Sequence, residues 1–145
     1  MEKFILNLLK SIKPQLAKAI IPAVDKVREF KNKPPIPLKE KMAEIDFPNL
    51  EGKTIMLHGV SVGEVMSLEN LVKAIKVNFP SVKLVITTGT ATGQELAKKK
   101  YGELADFITY FPLDIYETVD KFLSKINPSA VLIAETELWP NFSYY

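Results

Sequence analysis

The stretch HGVSVGE, from His58 to Glu64, holds the residue types best suited to chemistry in this chain. It follows a short apolar run, Thr54 to Leu57, and precedes a helical pattern that begins near Glu64. Backbone N–H groups at a helix start lack intrahelical partners, and the helix dipole is positive there. Gly59 and Gly63 permit a sharp turn or the close approach of a ligand. The only histidine and one carboxylate therefore meet at a candidate site.

The sequence allows two roles for Glu64. With Ser61 three residues earlier, it fits a capping box, in which the carboxylate accepts a backbone N–H. A helix start also favours the ionised form of a carboxylate, which a general base requires. The two roles coexist if the side chain still faces the cleft. His58 is a candidate donor to a sugar hydroxyl or carboxylate, or else a structural hydrogen-bonder.

A second glycine-bearing turn, TTGTATG from Thr87 to Gly93, follows the next apolar run. The hydroxyls of Thr88 and Thr90, with the N–H groups of the helix start, are suited to an anion or a sugar. The alternative is helix capping by Thr90 or Thr92, with Glu95 completing a capping box from Thr92. The turn lacks the Gly-Lys-Ser/Thr ending of a Walker A loop.

Two acids follow the fourth apolar run, in ETELWP from Glu135 to Pro140. Glu135 and Glu137 would share one face of a continuing strand. Such a carboxylate pair can bind a cation, accept from sugar hydroxyls, or raise the proton affinity of one of its members. Trp139 is a candidate sugar or acyl platform, or a packing residue.

Apolar runs and helical patterns alternate from Thr54 onwards. Strands are predicted at 54–58, 82–87, 107–111 and 130–134, the last of them buried, and helices at 64–78, 90–101 and 115–126. Pro140 is placed to open another helix. The alternation predicts βαβ units, and hence an α/β fold with a parallel sheet. Ligands of such sheets bind beyond the carboxyl ends of the strands, where these three motifs and residues Pro112 to Asp114 lie.

Residues 1–31 form a basic amphipathic arm in which lysines separate apolar side chains at helical spacing, with interruptions or kinks at Pro14 and Pro22. Met1 to Glu44 carries a net charge of +5, whereas the remainder carries −3. The arm is interpreted as an interfacial helix on an anionic membrane surface, or as a helix packed on its own or a missing domain. Its charges argue against a transmembrane span.

Residues 32–52 form a Pro-rich linker containing NKPPIP, and residues 53–145 form the α/β domain. The absence of cysteine excludes a disulfide framework, and the single histidine argues against a zinc enzyme. The overall charge of +2 is too small to indicate a nucleic-acid partner.

Taken together, HGVSVGE, TTGTATG, FPLD and AETELWPN follow four successive strands and resemble motifs of the Kdo (3-deoxy-D-manno-octulosonic acid) transferases, over about Lys39 to Phe142. The resemblance implies a Rossmann-like parallel sheet, the N-terminal half of a GT-B glycosyltransferase fold, preceded by the amphipathic helical arm. It implies transfer of Kdo from CMP-Kdo to a lipid A precursor in lipopolysaccharide biosynthesis. The enzyme would work without metal or cofactor, peripherally at the cytoplasmic face of the bacterial inner membrane.

The resemblance also implies roles for individual residues. Glu64 corresponds to the general base that activates the acceptor hydroxyl, and Glu135 to a second functionally important acid, so both are expected to be catalytic. The expected substrate-binding residues are His58, Ser61, Gly63, Thr88, Thr90, Glu137 and Trp139.

This chain differs from the Kdo transferases in length. Members of that family are more than twice as long, and their second domain carries most of the CMP-Kdo contacts. The chain is therefore expected to supply only the acceptor side, as a gene fragment, an excised domain or half of a split enzyme, and to be inactive without a C-terminal donor-binding domain. The alternative is a non-catalytic domain that binds a membrane or a partner.

Overall fold

The computed structural model describes residues 13–134 and 139–144. The strands are β1 (Thr54–Gly59), β2 (Lys83–Thr88), β3 (Phe107–Tyr110) and β4 (Pro128–Ile133). The helices are α1 (Pro14–Phe30), α2 (Leu38–Lys41), α3 (Val62–Ser67), α4 (Glu69–Asn78), α5 (Ala91–Tyr101), α6 (Tyr116–Ile126) and α7 (Pro140–Ser143). The strands form one parallel sheet in the order β3-β2-β1-β4, which confirms the predicted α/β fold.

The described residues divide into two compact units. One comprises residues 13–45, 112–122 and 139–144, and the other comprises residues 46–111 and 123–134. The second unit contains the sheet and the turns after β1 and β2, and it is called the sheet unit below. The other is called the arm unit.

Helix α1 of the arm unit begins at Pro14, where the missing N–H of proline costs no intrahelical bond, and it continues past Pro22. One face packs into a buried apolar cluster formed by Ala17, Ile21, Val24, Ile36, Met42 and Ile115. This face of α1 therefore packs on the chain itself, which is one of the two predicted roles of the arm. Among the described residues, no helix is long and apolar enough to cross a membrane.

One apolar cluster of the sheet unit lies on one face of the sheet, while Met56 and Val85, which point to the other face, are also fully buried. Leu57, Leu84 and Ile86 point to the face of the cluster from β1 and β2, because alternate residues of a strand share a face. Helices α3, α4 and α5 cover them with Val65, Leu68, Val72, Ile75, Ala97 and Tyr101. Each fully buried aliphatic side chain of this kind contributes about 1.5–3 kcal/mol to folding. The core thus fixes α3, which carries Glu64, against the sheet.

The helix predicted at 64–78 is two helices, α3 and α4, which meet at Leu68. At the break, side-chain hydroxyls donate hydrogen bonds to backbone carbonyls. Ser67 Oγ donates to Glu64 O at 2.7 Å, and the buried Tyr101 hydroxyl donates to Val65 O at 2.7 Å. Such side-chain bonds compete with the regular helical pattern, and neither follows from helical periodicity.

Strand β4 corrects a second expectation. It was predicted to be buried, but it lies at the edge of the sheet and pairs only with β1. Ser129, Ala130 and Leu132 are exposed. An apolar run of this length fits both a central and an edge strand, because the sequence does not show how many neighbours a strand has.

Tyr101→Phe tests the link between α5 and α3. The change removes the hydroxyl that donates to Val65 O, and we expect it to lower the free energy of unfolding by about 1–2 kcal/mol. Chemical denaturation monitored by circular dichroism measures this. Tyr144→Phe, at an exposed position, is the matched control and should change stability little. Equal stability of both variants would contradict a structural role for the Tyr101 hydroxyl.

Candidate functional site

Glu64 and Ser61 form a capping box at the start of α3, with Ser61 as the N-cap residue. Glu64 Oε2 accepts the N–H of Val60 and, at 3.4 Å, the N–H of Ser61. Glu64 Oε1 accepts the Ser61 hydroxyl at 2.9 Å. The side chain of Glu64 is partly buried. Backbone donors therefore hold one carboxylate oxygen, whereas a rotatable hydroxyl contacts the other.

The carbonyl of Val60 joins the first motif turn to the second. It accepts the N–H of Gly89 at 3.1 Å, the N–H of Thr90 at 3.0 Å and the hydroxyl of Thr90 at 3.1 Å. Two backbone donors of TTGTATG that were candidates for an anion thus bind a protein carbonyl. Their geometry favours a structural role for this part of the turn.

Thr90 is the N-cap residue of α5, and its hydroxyl oxygen accepts the N–H of Gly93 at 3.1 Å. Capping by Thr90, one of the predicted alternatives, is therefore correct. The capping box predicted between Thr92 and Glu95 is wrong, because Thr92 lies inside α5 and is not its N-cap residue. Thr90 is exposed, whereas Thr88 is buried and donates its hydroxyl to Gln94 Oε1 at 2.6 Å.

Three motif glycines lie where an added Cβ would be crowded by neighbouring atoms. A Cβ on Gly59 would lie 3.1 Å from Val65 N and 3.2 Å from Glu64 C. A Cβ on Gly89 would lie 2.6 Å from Val60 Cγ1, and one on Gly93 would lie 3.0 Å from Val60 O. The absence of side chains at these positions therefore lets β1, α3 and the second turn approach one another.

His58 lies inside the sheet unit and is fully buried. Its Nδ1 lies 3.0 Å from Thr87 Oγ1 and 3.1 Å from Thr87 O. Because a carbonyl only accepts, the contact with Thr87 O assigns the ring proton to Nδ1. The His58 ring also packs on Phe111, with 4.3 Å between the ring centroids. These contacts fit the structural role considered for His58, and its substrate-binding role stays a prediction.

Asp114 of FPLD and Asn141 of AETELWPN meet in the arm unit. Asp114 is buried, and its carboxylate accepts the N–H of Asn141 at 3.1 Å and the N–H of Phe142 at 2.9 Å. The Asn141 amide donates to Asp114 O at 2.7 Å. Asp114 thus caps α7 from a distant position in the sequence. The sequence placed Asp114 at a strand end but did not predict this cap, because a cap supplied from outside the helix leaves no local pattern.

Ser61 and Gly63 lie next to Glu64 at the start of α3. Ser61 is partly buried and Gly63 is exposed. Trp139 precedes α7 as its N-cap residue. The predictions for Glu135 and Glu137 lie outside the described residues. The described part of the chain contains no group of three His, Asp or Glu side chains that could hold a metal ion.

Comparison with known proteins identifies the family. Residues 36–144 match the family described as 3-deoxy-D-manno-octulosonic-acid transferase (kdotransferase). The chain belongs to the Kdo transferase family. This confirms the resemblance drawn from the four motifs, and the matched region contains the whole sheet with α2 to α7.

Individual relatives of this chain include a Kdo transferase and another glycosyltransferase. A 3-deoxy-D-manno-octulosonic acid transferase of Haemophilus influenzae is 37% identical over 87 residues, covering 60% of this chain and 20% of that protein. A bifunctional glycosyltransferase/methyltransferase of Fusobacterium nucleatum is 36% identical over 113 residues, covering 72% of this chain and 18% of that protein. The chain therefore spans about a fifth of the length of the curated relatives that it matches.

Gly59→Ala tests the close packing at the first motif of this Kdo transferase family member. The added methyl group would meet backbone atoms of α3 that cannot move independently, so we expect a loss of about 1–3 kcal/mol in the free energy of unfolding. Thermal and chemical denaturation of the purified variant measure it. Wild-type stability of Gly59→Ala would show that α3 does not need its close approach to β1.

Proposed function

We propose that this chain forms the acceptor side of a Kdo transferase and that Glu64 is the general base. The family match supports transferase chemistry in general, and the carboxylate geometry at the start of α3 supports the specific role. The substrates would be CMP-Kdo as donor and a lipid A precursor as acceptor. The reaction would need neither metal nor cofactor.

The two oxygens of Glu64 would have different tasks. Oε2 accepts backbone N–H groups, which keep the carboxylate in place during turnover. Oε1 contacts the Ser61 hydroxyl, and this hydroxyl can rotate away without moving the backbone. An acceptor hydroxyl would then donate its hydrogen bond to Oε1. This exchange reconciles the capping role of Glu64 with a catalytic one.

Transfer would follow from this arrangement. The acceptor oxygen forms a bond to the anomeric carbon of Kdo while its proton passes to Glu64 Oε1. The bond between that carbon and the CMP phosphate oxygen breaks, and CMP leaves with the electron pair. A positioned base of this kind contributes typically about 10²–10⁴-fold to rate. CMP-Kdo would be held by sequence equivalent to the rest of the longer relatives, and Glu135 would be a second catalytic acid.

Glu64→Gln tests the base in an enzyme that contains both halves. We suggest a chimera in which residues 36–144 replace the equivalent part of the Haemophilus influenzae relative. Because a neutral amide cannot take the proton, we expect Kdo transfer from CMP-Kdo to a lipid A precursor to fall at least about 100-fold.

Glu95→Gln is the matched control for that experiment. Glu95 is exposed on α5, and the same change in charge should leave transfer unchanged. Full activity of the Glu64→Gln chimera would refute the assignment of the base. Kdo transfer by the unfused chain would refute the proposed division into acceptor and donor halves.

The outer face of α1 favours a second role, attachment to an anionic membrane surface. Leu16, Val27 and Phe30 are 49%, 54% and 90% exposed, and their spacing places them on one side of the helix. Lys26 and Lys31 are exposed nearby in the sequence. An apolar stripe with adjacent lysines is typical of an interfacial helix. The face of α1 that carries Ala17, Ile21 and Val24 packs within the arm unit. The exposed face would meet lipid at the cytoplasmic face of the inner membrane.

Replacing Leu16, Val27 and Phe30 together by serine tests this attachment. We expect binding to vesicles that contain anionic phosphatidylglycerol to weaken at least about tenfold, because the apolar contact area is lost. Vesicle flotation measures it. Val77→Ser, at an exposed apolar position of α4, is the control and should bind like the wild type. Undiminished binding of the triple variant would exclude this face as the membrane contact.

A further inference from the structure

Gly63 differs from the other glycines of the two motif turns. Apart from its chain neighbours and the backbone of its own helix, a Cβ added to Gly63 would meet no described atom within 4 Å. Its backbone does not need glycine either, since Gly52 is the only described glycine with a positive φ. Gly63 is exposed in the first turn of α3. Neither packing nor backbone conformation within the described chain therefore requires glycine at this position.

Glycine at this position makes α3 less stable than alanine would, because glycine loses more backbone freedom when a helix forms. The contrast with Gly59 is direct, since a Cβ there would press on the backbone of α3. The fold thus accounts for Gly59 and leaves Gly63 without a structural reason. A molecule or segment outside the described chain would account for the missing side chain.

The position of Gly63 indicates which molecule would use the space left by the missing side chain. Side chains of a helix tilt towards its N-terminus, so a Cβ on Gly63 would project towards the start of α3. The carboxylate of Glu64 reaches back to the same end, where it contacts Val60 and Ser61. Val62 and Met66 are exposed on the same helix, so this side of α3 is open in the described structure. The described residues therefore leave the side of α3 at Gly63 uncovered.

We propose that Gly63 is a specificity-determining residue that keeps open the path by which the acceptor sugar reaches Glu64. This inference rests on the proposed function, because it takes the acceptor as the molecule that approaches Glu64 Oε1. A side chain at residue 63 obstructs a sugar hydroxyl carried on a large ring system, and the obstruction grows with the size of the side chain. Stability and acceptor binding consequently change in opposite directions at this one position.

Gly63→Ala and Gly63→Leu in this chain test the proposal. The alanine variant is expected to unfold about 1–4 °C above the wild type, since it improves the helix without a clash. Its Kd for a purified lipid A precursor should rise at least about tenfold, and that of the leucine variant should rise further. A purely structural residue would not produce higher stability together with weaker binding.

Ser124→Ala is the matched control. Ser124 is exposed on α6, and alanine there improves a helix without adding bulk beside Glu64, so Tm should rise while the Kd stays unchanged. A Gly63→Ala variant that binds the precursor like the wild type, or that has a lower Tm, overturns the proposal. An active Glu64→Gln chimera would instead overturn the proposed base and leave these binding results intact. The two failures are therefore distinguishable.

Discussion

The peptide groups on either side of Val60 hold the candidate site together. The N–H of Val60 donates to Glu64 Oε2, and the carbonyl of Val60 accepts two N–H groups and one hydroxyl from Gly89 and Thr90. One residue thus ties the carboxylate of the first motif to the backbone of the second. Because all these bonds involve its main chain, the identity of the Val60 side chain is not what maintains them. Any change that shifts this backbone would move Glu64 and the start of α5 together.

Capping and catalysis are compatible in this arrangement because a carboxylate has two oxygens. The bonds to Oε2 resemble those of any capping box and restrict the side chain to one orientation. In the proposed mechanism the bond from Ser61 to Oε1 is the one exchanged for the acceptor, since the hydroxyl can rotate. A base held in this way needs little reorganisation when the acceptor arrives. We therefore regard the cap as the device that positions the proposed base.

The sequence predicted most of the sheet unit because its patterns are local. The four strands and the α/β fold follow from alternating apolar runs and helical periodicity, and the family follows from four motifs in order. The features that were missed depend on contacts between distant residues. The break at Leu68 involves Tyr101, and the cap on α7 comes from Asp114. The exposure of β4 depends on its position in the sheet, which periodicity does not encode.

The candidate site was predictable to a similar extent. The position of Glu64 at a helix start followed from Ser61 and the spacing, but the different contacts of its two oxygens are visible only in the three-dimensional structure. The glycines of the motifs looked equivalent in the sequence. Only the distances to neighbouring backbone atoms separate Gly59, which the fold requires, from Gly63, which it does not.

A structure of this chain with a lipid A precursor bound tests the central claim most directly. The account predicts an acceptor hydroxyl oxygen at about 2.6–3.2 Å from Glu64 Oε1. It also predicts that the Ser61 hydroxyl has turned away and that the N–H of Val60 still contacts Oε2. A precursor bound away from the start of α3, or a Glu64 carboxylate released from Val60, would contradict it.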